Sequence, residues 1–483
     1  MVLIVILTYL IVLLLFGRMA TGQHATNETF FRGERKSPWQ MVAFGMIGAS
    51  VSGVTFVSVP GMVMRMDMTY LQTCLGFILG YFVVAFVLLP VYYRLNLTTI
   101  YTYLYKRMGK CSYKTGAAFF LLSKMMGTVV KFYLFCFVIQ GMLAPPFSSI
   151  NSHPSTSYLL PLILVPLVWL YSRRGGIKTL VWTDSLQTFC MLGALLLIIY
   201  KVMGELDFDF ADAVQAVATH EHSRIFVFDD WASPQNFWKQ FVSGIFIVVV
   251  MTGLDQDIMQ KNLTCRTLRE AQKDMCSYGF AFVPLNLLFM GLGILLLLLA
   301  GQRGMALPVK GDELLPMFAA TGELGAMVQA LFALGLVAAS FSTADSAMTS
   351  ITTSCCVDIF ERPADEQLRH RVHLGVAAVM VLLIWVFGTL NSTSVIDAVY
   401  TLVSYTYGPL LGLFAFGLLT KKDVNDRAVP YIAIMSPLIC LLLDKVCAQW
   451  IDYHFGYELL MLNGVLTFLG LYLVKKKSFS GQH

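Results

Sequence analysis

Charge is what this sequence has least of. Asp, Glu, Lys and Arg make up 13% of the 483 residues, against 57% hydrophobic ones. A soluble globular domain carries about 25% charged residues, so an ordinary soluble globule is excluded. There is also no strong basic excess, and a net charge of +5 gives no reason to expect a nucleic-acid partner. The ten cysteines fall mostly within or at the ends of apolar stretches, and none lies in a loop placed outside, which argues against a disulfide framework. No zinc-type Cys/His spacing, phosphate-binding loop or His-Glu-x-x-His pair occurs, so no enzyme is expected. No organic cofactor is expected either.

What is abundant is long apolar segments. Thirteen are present, at 2–17, 39–64, 69–91, 115–143, 157–171, 178–200, 236–259, 274–300, 324–354, 373–390, 395–420, 428–449 and 457–474. They predict an all-α polytopic membrane protein in contact with lipid. The first segment has no basic residue before it and Arg18 after it, which predicts an uncleaved anchor with its N-terminus outside. Loop charge agrees. Most of the 34 Lys and Arg lie in the odd-numbered loops, among them Arg32, Arg35, Lys106, Arg107, Arg173, Lys273, Arg369 and Lys421. The even loops hold few, chiefly Arg65, Arg224, Arg303 and Lys310, with Lys201 at the end of span six. That bias predicts a cytoplasmic C-terminus and an odd number of spans. The 201–235 loop is acidic and falls outside, and its stretch Phe210–Ala218 is expected to form a short interfacial helix. The basic tail after Val474 is too short for a fused soluble module.

Two spans carry residues that oppose helix. Span two holds Gly48-Ala49-Ser50-Val51-Ser52-Gly53 followed by Pro60-Gly61, and span seven holds Met251-Thr252-Gly253-Leu254-Asp255-Gln256-Asp257. Glycine destabilises helix and serine bonds its own backbone, so both are expected to unwind. Unwound backbone at membrane depth is tolerated only beside a cavity or buried in protein. Matched breaks in two halves point to a transporter's binding site, and an offset of five spans inverts the topology.

The central stretch is Ala338-Ala339-Ser340-Phe341-Ser342-Thr343-Ala344-Asp345-Ser346. On a helix, Ala339, Ser342, Thr343 and Ser346 share one face. Its hydroxyls, with Asp345 beside them, suit a hard cation such as sodium. Single Ser or Thr hydroxyls can equally back-bond to their own helix. Asp184 near the inner end of span six is either a cap or a site carboxylate. Lys124 is placed to snorkel to the interface. Lys131 lies deeper and calls for an anion, either a protein carboxylate or a solute. Asp444 and Lys445 in span twelve point apart and read as rim groups.

These landmarks, with Trp182-Thr183-Asp184-Ser185-Leu186-Gln187, the run into Gln260-Lys261, and Gly408-Pro409, resemble the sodium/solute symporter family, which includes sodium-coupled sugar, proline and sialic acid transporters. The resemblance covers nearly the whole chain. It implies a leucine-transporter-type fold of about 13 transmembrane helices. Its parts are an extra helix and loop at 1–38, a five-helix repeat at 39–201, an outer loop at 202–235, an inverted repeat at 236–420, and two extra helices with a tail at 421–483. It implies sodium as coupling ion, bound by backbone carbonyls of Gly48, Val51 and Ala339 and hydroxyls of Ser342 and Thr343. In some members a second sodium binds nearby. Here its ligands would be Asp184, Ser342, Asp345 and Ser346. Asp345 stands where serine is expected, so it would strengthen that site, favour a proton, or make an unrelated contact. Substrate contacts would come from Ser52, Thr55 and Gln72, with Met251 and Thr252 across the cavity. Val248, Met251 and Thr252 replace the Asn and aromatics of sugar transporters, which argues against a galactose pocket. Lys131 leaves an acidic sugar or other carboxylate open. The implied activity is sodium-coupled import of a small organic solute, with the chain in a bacterial inner membrane. A proton-coupled or uniport carrier, or a transporter-fold sensor, is the rival reading.

Overall fold

The computed structural model describes residues 2–21, 26–143, 154–231, 233–390, 395–451, 453 and 455–474. Within them every one of the thirteen apolar segments is helical, and the sole β-pairing is an isolated bridge between Ser37 and Cys265. The principal helices are α1 (Val2–Thr21), α2 (Trp39–Ser50), α3 (Gly53–Met66), α4 (Tyr70–Val83), α5 (Lys110–Leu143), α6 (Pro154–Glu205), α7 (Phe210–Thr219) and α8 (Phe237–Val248). They continue with α9 (Gln256–Asn262), α10 (Leu268–Gln302), α11 (Ala326–Ser354), α12 (Glu366–Leu390), α13 (Val395–Thr406), α14 (Gly408–Leu419), α15 (Val429–Ile451) and α16 (Leu459–Leu473).

Among the described residues eight helices are long and apolar enough to cross a membrane alone, and up to ten spans result when each of two sharply bent pairs is taken as one. The bent pairs are α2 with α3, at 59°, and the α8 segment with α9, at 69°. These are the two expected breaks. The shorter apolar helices are Leu159–Arg173, α14 and α16. Large apolar side chains such as Ile4, Phe86, Leu162, Leu382 and Leu442 are exposed along the helices, as lipid-facing residues must be.

Two features differ from the sequence reading. Spans five and six are one helical run, α6, bent at Gly176. The bend needs glycine twice over: its φ is +50°, and a Cβ there would lie 2.5 Å from the Phe30 ring. Span eleven is interrupted at Tyr407, between α13 and α14, where Pro409 follows at the start of the new helix. The outer-loop helix α7 forms as expected, one residue longer, and is closed by a reciprocal cap between Asp209 and Asp212.

Helix α11 is the hub. It touches α2, α3, α5, α6, α9 and α12, so its Ser- and Thr-rich middle is buried on all sides. At the basic face, Lys178 stands 3.1 Å from Glu34, and its hydrogen-bonded ammonium lowers the Glu34 pKa. Hydrogen bonds from Lys114 and Lys110 lower that of Glu361 in the same way.

Candidate functional site

At the first break, Val51 has φ −78° and ψ 81°, and Ser52 is extended. The Ser52 N–H turns back to the Ser50 carbonyl at 3.0 Å instead of reaching Gly48. Among the described residues no backbone N–H reaches the carbonyls of Gly48 or Val51. Two carbonyl oxygens are thereby released at mid-membrane. Glycine at 48 also permits close helix contact, since a Cβ would collide with Thr188 Oγ1. Across from the break, Gly53 lies directly against Ser340 of α11. One turn on, Ser342 Oγ donates to Asp184 Oδ1 at 2.7 Å, and Thr343 Oγ1 donates to the Ala339 carbonyl at 3.1 Å. Each hydroxyl has spent its proton on a protein acceptor and keeps its lone pairs for a cation.

The second break begins with a π turn at 249–253 and reaches extended backbone at Asp255. Its loosened carbonyls are capped by tyrosines: Tyr92 OH donates to Gly253 O at 2.9 Å and Tyr101 OH to Leu254 O at 2.8 Å. Asp255 caps α9 through the Asp257 N–H at 2.8 Å and accepts from Tyr407 OH at 2.7 Å, so the interruption in span eleven meets the one in span seven. Lys124 joins this group, 3.1 Å from Asp255 and 2.7 Å from Asp257. The expectation that Lys124 snorkels is corrected. Two carboxylates inside the bundle hold its ammonium more strongly than the interface would.

Between the breaks lies a cavity of about 900 Å³, open space at its mouth included. Ser52, Thr55, Lys131, Met251, Thr252 and Thr343 line it, with Phe77, Tyr81 and Phe282 as aromatic walls. Asp255, Asp257 and Lys124 line it as well. Among the described residues Lys131 makes no hydrogen bond or ion pair; the two carboxylates attract it from beyond contact distance and are held by Lys124, one heptad earlier.

Gln72 is a correction. It does not line the cavity. Its Nε2 donates to Gln235 O at 2.8 Å, and its Oε1 accepts from Val227 N at 3.1 Å, so both ends of the amide anchor the outer loop. Gln72→Ala is therefore expected to leave the solute KM unchanged within about twofold. It should lower stability by about 1–3 kcal/mol, because the Val227 N–H loses its acceptor. Uptake kinetics and thermal unfolding check the two halves separately.

The structure does gather Asp184, Ser342, Asp345 and Ser346, all buried. It also puts a fifth group among them that the sequence reading took only as the end of a motif. Lys261 Nζ lies 2.7 Å from Asp184 Oδ2 and 2.5 Å from Ser346 Oγ. Asp345 Oδ2 accepts from Tyr171 OH at 2.5 Å. The signal available in sequence was the Asp257–Lys261 spacing, which sets both on one face of α9.

Residues 30–430 match the model of the Sodium:solute symporter family. The chain belongs to this family. The symporter is 23% identical to the sodium/sialic acid symporter SiaT of Proteus mirabilis, over 94% of this chain and 91% of that one. It is 21% identical to human sodium-coupled monocarboxylate transporter 1, over 90% and 70%. Among solved structures it resembles a substrate-bound, outward-open sodium-coupled sialic acid symporter, with TM-score 0.80 and 20% identity over 98% of both chains. It also resembles Mhp1, a nucleobase-cation-symport-1 family transporter, with TM-score 0.53 and 14% identity over 93% and 94%. The fold is thus leucine-transporter-type, and the symporter is an integral membrane transporter rather than an enzyme. Sodium is its coupling ion and an organic solute its cargo.

Proposed function

We propose that this symporter imports a small organic anion, whose carboxylate is received by Lys131. The supporting observation is the lysine itself: a cavity-lining ammonium inside the membrane that makes no ion pair, because Asp255 and Asp257, which line the same cavity, are in contact with Lys124 instead. An unpaired charge there is costly and is satisfied by a ligand of opposite sign. The named relatives act on sialic acid and monocarboxylates, both acids, which fits. Val248, Met251 and Ile258 give the wall an apolar body, and Ser52, Thr55 and Thr252 supply hydroxyls for orientation.

Sodium would be held by the released carbonyls of Gly48 and Val51 together with the Ala339 carbonyl and the hydroxyls of Ser342 and Thr343. Thr343 belongs to this set and also lines the solute cavity, so occupation of one place is felt in the other. The ion favours the outward-facing arrangement, and solute then binds at the breaks. Both are released inward as the repeat at 39–201 rocks against that at 236–420. The N-terminus lies outside and the C-terminus in the cytoplasm of a bacterial inner membrane, as the loop charges indicate.

The test is uptake into proteoliposomes of a panel of carboxylates and their neutral amides, in sodium or choline. Wild type is expected to accumulate a carboxylate only in sodium. Lys131→Gln is expected to raise its KM by about 30-fold or more, as loss of a buried charge partner costs about 2 kcal/mol or more. An equal preference for the amide would sink the anion reading.

A further inference from the structure

We infer that the Lys261 ammonium is a built-in cation standing where a second sodium would bind, so that the symporter takes up one sodium per solute. Three observations carry this. Four of the oxygens that would ligate the ion are already engaged: Asp184 Oδ2 and Ser346 Oγ on Lys261 Nζ, Asp184 Oδ1 on Ser342, and Asp345 Oδ2 on Tyr171, while Asp345 Oδ1 has a 3.4 Å contact from Ser346. All of these side chains are buried, so the ammonium has no water to retreat into and a sodium beside it would meet an unscreened like charge. The lysine is also held in place by its own helix. Asn262 donates to Asp274 at 2.5 Å and to the Ala271 carbonyl at 3.1 Å, and Gln260 donates to the Phe31 carbonyl at 2.8 Å. Helix α9 therefore aims Lys261 at α6 and α11 in a fixed register.

The consequence lies in coupling. A sodium at this position would enter from outside, leave inside, and contribute its gradient. A tethered ammonium holds the same oxygens together, linking the second broken segment to α6, and cannot be released. The accumulation ratio then follows the sodium ratio to the first power. Asp345, where serine was expected, sits beside the lysine as a second carboxyl in the cluster. A departure of charge at one position thus accompanies a fixed charge at another.

The inference rests on the proposed sodium site at Thr343 only for its count of one. Its test is equilibrium binding of radioactive sodium to the purified full chain, with the Hill coefficient of sodium-driven uptake as a second readout. Wild type is expected to bind one sodium per chain with a Hill coefficient of one, and Thr343→Ala to bind none. The double variant Lys261→Ser with Asp345→Ser removes one charge of each sign and provides an open hydroxyl cage. It is expected to bind two, with a Hill coefficient above one. Lys261→Arg keeps a fixed cation and is expected to stay at one. A wild-type count of two overturns the inference and leaves the Thr343 site standing, even if the double variant does not fold. A folded double variant that still binds one also overturns it. Sodium binding that is indifferent to Thr343→Ala overturns the site assignment instead.

Discussion

Replacing Ser342 and Thr343 together with alanine is expected to abolish sodium-dependent uptake. Both hydroxyls sit on the buried face of α11, opposite the first break, and both have their protons directed at protein acceptors. In the proposed sodium site their oxygens would be oriented as ligands before an ion arrives, which would reduce the cost of binding. Loss of an outer partner of a metal ligand costs about 10–100-fold in affinity, so loss of two direct ligands should cost more than about 100-fold. Ser342 also supports Asp184, so the double variant disturbs the Lys261 cluster as well. Thr343→Ala alone isolates the ion site, because its one hydrogen bond is to a carbonyl of its own helix. Sodium titration of uptake is the measurement. An unchanged sodium affinity in Thr343→Ala would remove the hydroxyl from the site.

Lys124→Met should have the largest effect on stability. The ammonium is held between Asp255 and Asp257, whose side chains are 3% and 6% exposed. Breaking a buried ion pair from one side costs about 3–5 kcal/mol, since the remaining charge stays unpaired in a medium that solvates it poorly. Here two carboxylates lose one cation, and they sit at the second break, Asp255 on its extended residue and Asp257 in the first turn of α9, where both line the cavity. The variant is expected to give little folded protein in detergent, or a large drop in apparent melting temperature. Adding Asp255→Asn and Asp257→Asn should restore much of the loss, as no unpaired charge then remains. A Lys124→Met protein as stable as wild type would show that the group is solvated rather than dry.

The first break was legible because its cause is local. Two glycines and two serines within six residues weaken helix whatever surrounds them, and the structure bends there by 59°. The second break was legible for the same reason. The interruption at Tyr407 was marked by Gly408-Pro409, but its consequence was not legible. Its role appears only when the Tyr407 hydroxyl meets Asp255. Gln72 was misplaced by motif analogy. Its polarity fits a ligand contact, but the outer loop folds back over α4 and takes both ends of the amide.

The lysines teach the same lesson. Lys124 and Lys131 are one heptad apart on one helix and look alike in sequence. One is in contact with two carboxylates from a segment 131 residues away, and the other faces the same cavity without an ion-pair contact. Lys261 looked like the end of a motif and proved to be the cation at the centre of the predicted second ion site.

By itself the sequence determined that this chain lives in a membrane, where its helices lie, where two of them break, and to which family it is similar. Those follow from hydrophobicity and backbone propensity, which each short stretch carries within it. Only the tertiary structure decided which buried charges cancel and which stay available for an ion or a solute. Charge compensation in a dry interior depends on groups brought within about 3 Å from distant parts of the chain, and no local pattern encodes that distance.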